Sequence, residues 1–170
     1  MKYVFVSDYV RFYALYKYAG VYFDTDMFVD KYFSNLLNTK FLIGYEDASE
    51  KFISGGIIAS VAKHRLIEKI IDTYESLRFD KTDMLDLKVP KIITNAMHEL
   101  SDRQNLRILP NDYFYPYPFA KREVDRDCRS HATENTFCIH LWDLSWRSPL
   151  KNFKIIVKRF IDKTVGELFR

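Results

Sequence analysis

The sequence predicts an α/β layered domain, and two features of its pattern carry that prediction. Short apolar segments read as buried strands: VYF at 21–23, FLIGY at 41–45, GGIIASVA at 55–62, LRIL at 106–109 and TFCIHLW at 136–142. Segments of helical spacing lie between them, above all HRLIEKIIDTYESL at 64–77. With 170 residues the chain is most simply one domain. A chain of this size buries about 70% of the surface it exposes when unfolded, so it needs no disulfide or metal to hold its core.

Taken in order, YVFV at 3–6 reads as a short buried strand, and Ser7 as the N-cap of a helix over 8–18 with Asp8 in its first turn. Gly20 suits the stop of that helix. VYF then leads into Asp24-Thr25-Asp26. The 64–77 helix places Leu66, Ile67, Ile70, Ile71 and Tyr74 on one face, and another helix follows Pro90 to about Leu100. The irregular stretch 110–135 suggests a loop-rich edge near a site. After Pro149 comes an amphipathic helix. Phe153, Ile156, Val157, Phe160, Ile161 and Val165 lie on or near one face, and Lys151, Lys154, Lys158, Arg159 and Lys163 on the other. That basic face reads either as a solvated surface or as a peripheral contact with an anionic membrane. The organisation expected is a core over 1–148 with the helix of 149–170 packed on it.

Composition is that of a globular protein, 48% hydrophobic and 29% charged, with a high aromatic share of 16%. A net charge of +3 without a long Lys/Arg run argues against nucleic acid as a partner. Cys128 and Cys138 are too few for a disulfide framework and read as free thiols of a cytoplasmic protein. No segment has the length and apolarity of a signal peptide or a membrane span.

The chemistry concentrates at Asp24 and Asp26. On an extended segment, residues i and i+2 point to the same side, here at the carboxyl end of a strand, where open α/β sheets bind ligands. Two adjacent carboxylates repel unless a cation lies between them or one is protonated. Hard oxygen ligands suit Mg²⁺ or Mn²⁺ gripping a diphosphate. A lone Asp-X-Asp is weak evidence, since solvated loop acids give the same triplet. A calcium loop needs further oxygen ligands, and here Met27, Phe28 and Val29 follow. An aspartate-nucleophile phosphatase of the haloacid dehalogenase type remains a competing reading, although bulky Phe28 stands where that class has a small residue. Asp8 and Arg11 share a helix face one turn apart, in a helix rich in apolar residues. A charged pair packed there needs partners, and a hydroxyl-rich anionic ligand would supply them.

The string SDYVRFYALYKYAGVYFDTD at 7–26 resembles the signature of the DXD-type sugar transferases of glycosyltransferase family 32. FISGGIIAS at 52–60, LPNDYFYP at 109–116 and TENTFCIHLWDLSW at 133–146 resemble later segments of that family, in the same order. The resemblance implies a GT-A-like mixed sheet flanked by helices and a metal-dependent glycosyltransferase retaining anomeric configuration. Its donor would be a UDP- or GDP-sugar and its acceptor a glycan or lipid-linked glycan of surface polysaccharide or capsule synthesis. It implies that Asp24, Asp26 and His140 hold Mn²⁺ or Mg²⁺, and that Asp8, Arg11 and Tyr22 meet the donor sugar. Ser54, Gly55 and Gly56 would let the backbone approach that sugar, or mark a bulge. Trp142 and Trp146 would stack on sugar or base. Read alone, His140 is a core histidine.

The sequence departs from the family at Ala19, where a second glycine is usual, and at Leu141, where a second histidine is frequent. Met1 lies six residues before Ser7, so the family's N-terminal strand–helix–strand region is expected to be missing. The expected sheet is therefore N-terminally truncated, with an open edge that a second copy would cover. A partial or non-catalytic remnant is the alternative that this departure raises.

Overall fold

The computed structural model describes residues 2–77, 88–125 and 127–143. Trp146 and the helix expected over 149–170 lie outside them. The elements run α1 (Lys2–Tyr18), β1 (Gly20–Phe23), β2 (Met27–Val29), β3 (Phe41–Tyr45), β4 (Ile53–Ser60), α2 (Arg65–Ser76), α3 (Val89–His98), β5 (Leu106–Leu109) and β6 (Cys138–His140). Single 3-10 turns occur at Ser34–Leu36, Asn111–Tyr113, Phe119–Lys121 and Cys128–His131.

The main sheet is mixed, in the order β1-β4-β3-β5. β4 pairs antiparallel with β1 and β3, and β3 pairs parallel with β5. A second, two-stranded sheet joins β2 to β6 antiparallel, with Met27 opposite His140. The fold is thus mixed α/β, as the sequence predicts.

Alternation along the strands sends side chains to two separate cores. Phe41, Ile43 and Ile58 meet Phe12 and Leu15 of α1, Leu66, Ile67 and Ile70 of α2, and Ile92, Ile93 and Met97 of α3. Leu42, Ile57 and Ala59 face the other way and meet Leu109, Phe114, Tyr115 and Cys138. The helical spacing that makes α2 amphipathic therefore also fixes which face of the sheet it covers. The His64 imidazole caps α2 by accepting the Leu66 amide, and Pro90 stands in the first turn of α3, where its missing N–H costs nothing.

Two sequence expectations fail here. YVFV is no strand, because α1 runs unbroken from Lys2, and Ser7 is an exposed interior position of that helix rather than its cap. A four-residue apolar run does not by itself distinguish a strand from a helix turn. Asp24-Thr25-Asp26 is also not extended. It forms a turn closed by the Met27 amide donating to the Asp24 carbonyl at 3.1 Å. That turn reverses β1 into β2, a strand that three residues between charged neighbours did not announce.

α1 ends where Ala19 takes a left-handed φ of 60° and donates its amide to Leu15 at 3.0 Å. Glycine is usual at such a position. Cys128 and Cys138 are unpaired, and burial pushes the Cys138 thiol up to about 12. No helix among the described residues is long and apolar enough to cross a membrane.

Candidate functional site

The site forms where β1 ends. The Asp24 amide donates to the Gly56 carbonyl at 2.7 Å, which pins the turn against β4. β4 is bulged at this point. From Ala59 to Ser54 it advances five residues, while β3 advances two, from Leu42 to Gly44. The bulge carries Gly55 and Gly56, whose missing side chains face opposite ways. A Cβ on Gly55 would lie 2.5 Å from Val89 Cγ1, on the helix side. A Cβ on Gly56 would lie 3.2 Å from the Tyr115 hydroxyl and 3.3 Å from Asp24 Oδ2. Of the two alternatives raised for these glycines the bulge is present, and the groups that come close to them are protein atoms of Val89, Tyr115 and Asp24. Ser54 is buried beside them, opposite Gly44 and within hydrogen-bonding reach of the Tyr115 hydroxyl.

Asp24 is gripped from the helix side. Arg11 Nη1 lies 3.0 Å from its Oδ1, and the Tyr22 hydroxyl donates to the same oxygen at 2.7 Å. Arg11 also donates to the Gly55 carbonyl at 3.0 Å and to Asp8 Oδ1 at 2.7 Å, and its guanidinium lies 4.6 Å over the Tyr22 ring. Asp8 is 4% exposed. Burial raises its pKa from an ordinary 3.8 to about 6, against the pull of the Arg11 charge. Burial likewise drives the Tyr22 hydroxyl upward, with the hydrogen bond to Asp24 adding to it.

The other oxygen of Asp24 turns toward the second face, 3.9 Å from His140 Nε2. Antiparallel pairing of β2 with β6 sets His140 opposite Met27, beside Asp26. His140 Nε2 lies 3.0 Å from Asp26 Oδ1, and the Asp143 amide donates to Asp26 Oδ2 at 2.8 Å. Burial opposes ionisation of Asp26, but the His140 hydrogen bond and charge outweigh it and hold the carboxyl below its usual range.

One ligand atom from each of Asp24, Asp26 and His140 lies within 4.8 Å of the others. Two carboxylates and an imidazole suit Mn²⁺ well and Mg²⁺ less so, since nitrogen favours the softer ion. His140 Nδ1 and Arg11 Nε are buried without a hydrogen-bond partner among the described residues. With Nε2 given to a cation, the imidazole proton would sit on Nδ1. The donor set thus fits the ion that the sequence implied.

Trp142 does not stack in open space. Its ring packs 4.0 Å from His140 between centroids, and its Nε1 donates to the Tyr117 carbonyl at 2.7 Å. Tyr115 supports both rings, at 5.9 Å from His140 and 6.1 Å from Trp142. Its hydroxyl accepts the Ile57 amide of the bulge at 2.8 Å. In the sequence Tyr115 stands out only as part of the segment LPNDYFYP, with no role of its own.

Comparison with known proteins follows the same geography. Residues 1–42 match the family described as a glycosyltransferase sugar-binding region containing the DXD motif, which takes in Asp8, Arg11, Tyr22, Asp24 and Asp26. An uncharacterized protein of Arabidopsis thaliana is 27% identical over 92% of this chain and 27% of its own length. Lactosylceramide 4-alpha-galactosyltransferase of Rattus norvegicus is 24% identical over 81% of this chain and 40% of its own. The chain therefore spans well under half the length of these relatives. No solved structure matches it.

Proposed function

We propose that this chain, whose first 42 residues match a DXD-containing sugar-binding region, is a GT-A-like glycosyltransferase dependent on Mn²⁺ or Mg²⁺. It would move a sugar from a nucleotide-sugar donor to a glycan or lipid-linked acceptor. The convergence of Asp24, Asp26 and His140 within 4.8 Å carries the reading. Those three side chains would hold the cation. When bound, the ion supplies Lewis-acid neutralisation of the departing nucleoside diphosphate.

The chain's own residues do the rest. Tyr22 and Arg11 fix one Asp24 oxygen so that the other faces the ligand. The Asp143 amide does the same for Asp26. Asp8 and Arg11, locked together, orient the donor sugar. Tyr115 and Trp142 hold the His140 ring. Family resemblance supports a UDP- or GDP-sugar donor and retention at the anomeric carbon. The rat relative, by name a galactosyltransferase of lactosylceramide, is a precedent for a lipid-linked acceptor.

A phosphatase using Asp24 as nucleophile fits less well, because one of its oxygens is already engaged by Arg11 and Tyr22. The test is release of nucleoside diphosphate from a panel of nucleotide sugars with Mn²⁺. Asp26→Asn should reduce release by at least about 100-fold, as loss of a preorganised electrostatic group does. Full activity in that variant would refute the metal role. Fluoroberyllate bound covalently at Asp24 would favour the phosphatase.

A further inference from the structure

Among the described residues, five other than glycine take a left-handed φ, and Trp142, at 56°, is the bulkiest of them. A large side chain is uncommon there, because its Cβ crowds the following carbonyl. The turn lies against the candidate cation group. His140 Nε2 is 3.0 Å from Asp26 Oδ1. The Leu141 amide donates to the Asp26 carbonyl at 3.0 Å, which carries the β2–β6 pairing one residue further. Beyond Trp142 the chain has turned back, and the Asp143 amide donates to Asp26 Oδ2 at 2.8 Å. Residues 140, 141 and 143 thus all bind one aspartate, and Trp142 makes the turn between them.

The indole of Trp142 is anchored by four partners. Its Nε1 donates to the Tyr117 carbonyl at 2.7 Å. Its ring stands at 67° to His140 with centroids 4.0 Å apart, at 84° to Phe119 with centroids 5.4 Å apart, and 6.1 Å from Tyr115. A ring fixed in this way leaves its own backbone little freedom, so these contacts offset the cost of the left-handed φ. The Asp143 amide counts most when His140 Nε2 serves a cation instead of Asp26. It then still orients the Asp26 carboxylate, as partners behind metal ligands do.

We propose that Trp142 is a positioning residue of the cation site: its anchored ring holds the left-handed turn that aims the Asp143 amide at Asp26. This role is additional to its contact with the His140 ring, and it rests on the metal reading of the site.

Two substitutions separate backbone from ring. Trp142→Ala and Trp142→Gly both remove the indole, but only glycine takes a left-handed φ without penalty. Mn²⁺ binding is read from the paramagnetic resonance of the free ion, with no nucleotide sugar present. Trp142→Ala should bind Mn²⁺ more weakly than wild type by about tenfold or more, and Trp142→Gly should bind it at least about fivefold more tightly than Trp142→Ala. Amide hydrogen exchange on the metal-free chain gives a second readout. The Asp143 amide should exchange about tenfold faster in Trp142→Ala than in wild type, with the amide of Ile93 in the helix-side core unchanged. Equal Mn²⁺ affinity in the two variants overturns the inference and leaves Trp142 as a support for the His140 ring alone. So does wild-type affinity, or wild-type exchange at Asp143, in Trp142→Ala. Loss of protection at Ile93 in that variant overturns it as well, marking Trp142 as a residue of the whole fold. A folded wild-type chain that binds no Mn²⁺ overturns the metal reading itself, and this inference with it.

Discussion

The two faces of the β1-β4-β3-β5 sheet are built from different chemistry. On the helix side, Ile43, Ile58, Ile67, Ile70 and Ile93 interlock in a mostly aliphatic core. On the other side, Phe114, Tyr115 and Trp142 meet with a hydroxyl, an imidazole and an indole N–H among them, each placed by a hydrogen bond or a ring contact. Asp24 sits at the rim and touches both, with Oδ1 held from the helix side and Oδ2 turned to the aromatic side. The difference teaches a division of labour. One face supplies stability mainly by aliphatic burial, and the other spends aromatic packing on fixing the orientation of a few polar atoms.

The largest effect should come from breaking the helix side. Ile93→Ala removes a fully buried side chain next to the β4 bulge and should cost about 2–5 kcal/mol in a denaturant titration. A cost under about 1 kcal/mol would mean that this face is not the stabilising one.

The two adjacent glycines sharpen the contrast. Gly55→Ala drives a Cβ to 2.5 Å from Val89 Cγ1 and should destabilise the fold by about 1–3 kcal/mol. Gly56→Ala presses on the Tyr115 hydroxyl and Asp24 Oδ2, so it should cost less stability and weaken Mn²⁺ binding more. Thermal melts together with metal titration check both. Equal effects of the two substitutions on both measurements would erase the proposed division.

The smallest effect is a pH dependence carried by Asp8. Its folded pKa of about 6 lies above the ordinary 3.8, so the folded chain binds the proton more tightly than the unfolded one. Its contribution to stability is therefore most favourable below about pH 4 and declines as pH rises through about 6. Ligand binding runs the other way, because protonated Asp8 loosens its hold on Arg11. Nucleotide-sugar affinity should fall about tenfold from pH 7 to pH 5, one logarithmic unit below that pKa. Asp8→Asn should flatten this limb, and an unchanged limb would assign it to another group.

Much of this was legible in the residues. α2, α3 and β3 to β5 follow from aliphatic spacing, because burial on one face leaves its period in the sequence. Asp24, Asp26, Asp8 and Arg11 lie within one local stretch, and their partnership survives even though the carboxylates converge through a turn rather than through strand alternation. What the residue pattern by itself does not supply depends on distant register. His140, named as a ligand through the family resemblance alone, reaches Asp26 only because β2 pairs with β6, and β2 is too short to announce itself. Tyr115 matters because its hydroxyl fills the bulge in β4, 58 residues away. Local pattern holds none of these pairings.

The central claim is that Asp24, Asp26 and His140 together hold a divalent cation. Its most direct test is anomalous diffraction at the manganese edge from crystals soaked with Mn²⁺ and UDP. The account expects one strong peak about 2.0–2.3 Å from an oxygen of each aspartate and from His140 Nε2, with diphosphate density beside it. A peak bound elsewhere, or none with the three side chains still paired as they stand, would contradict it.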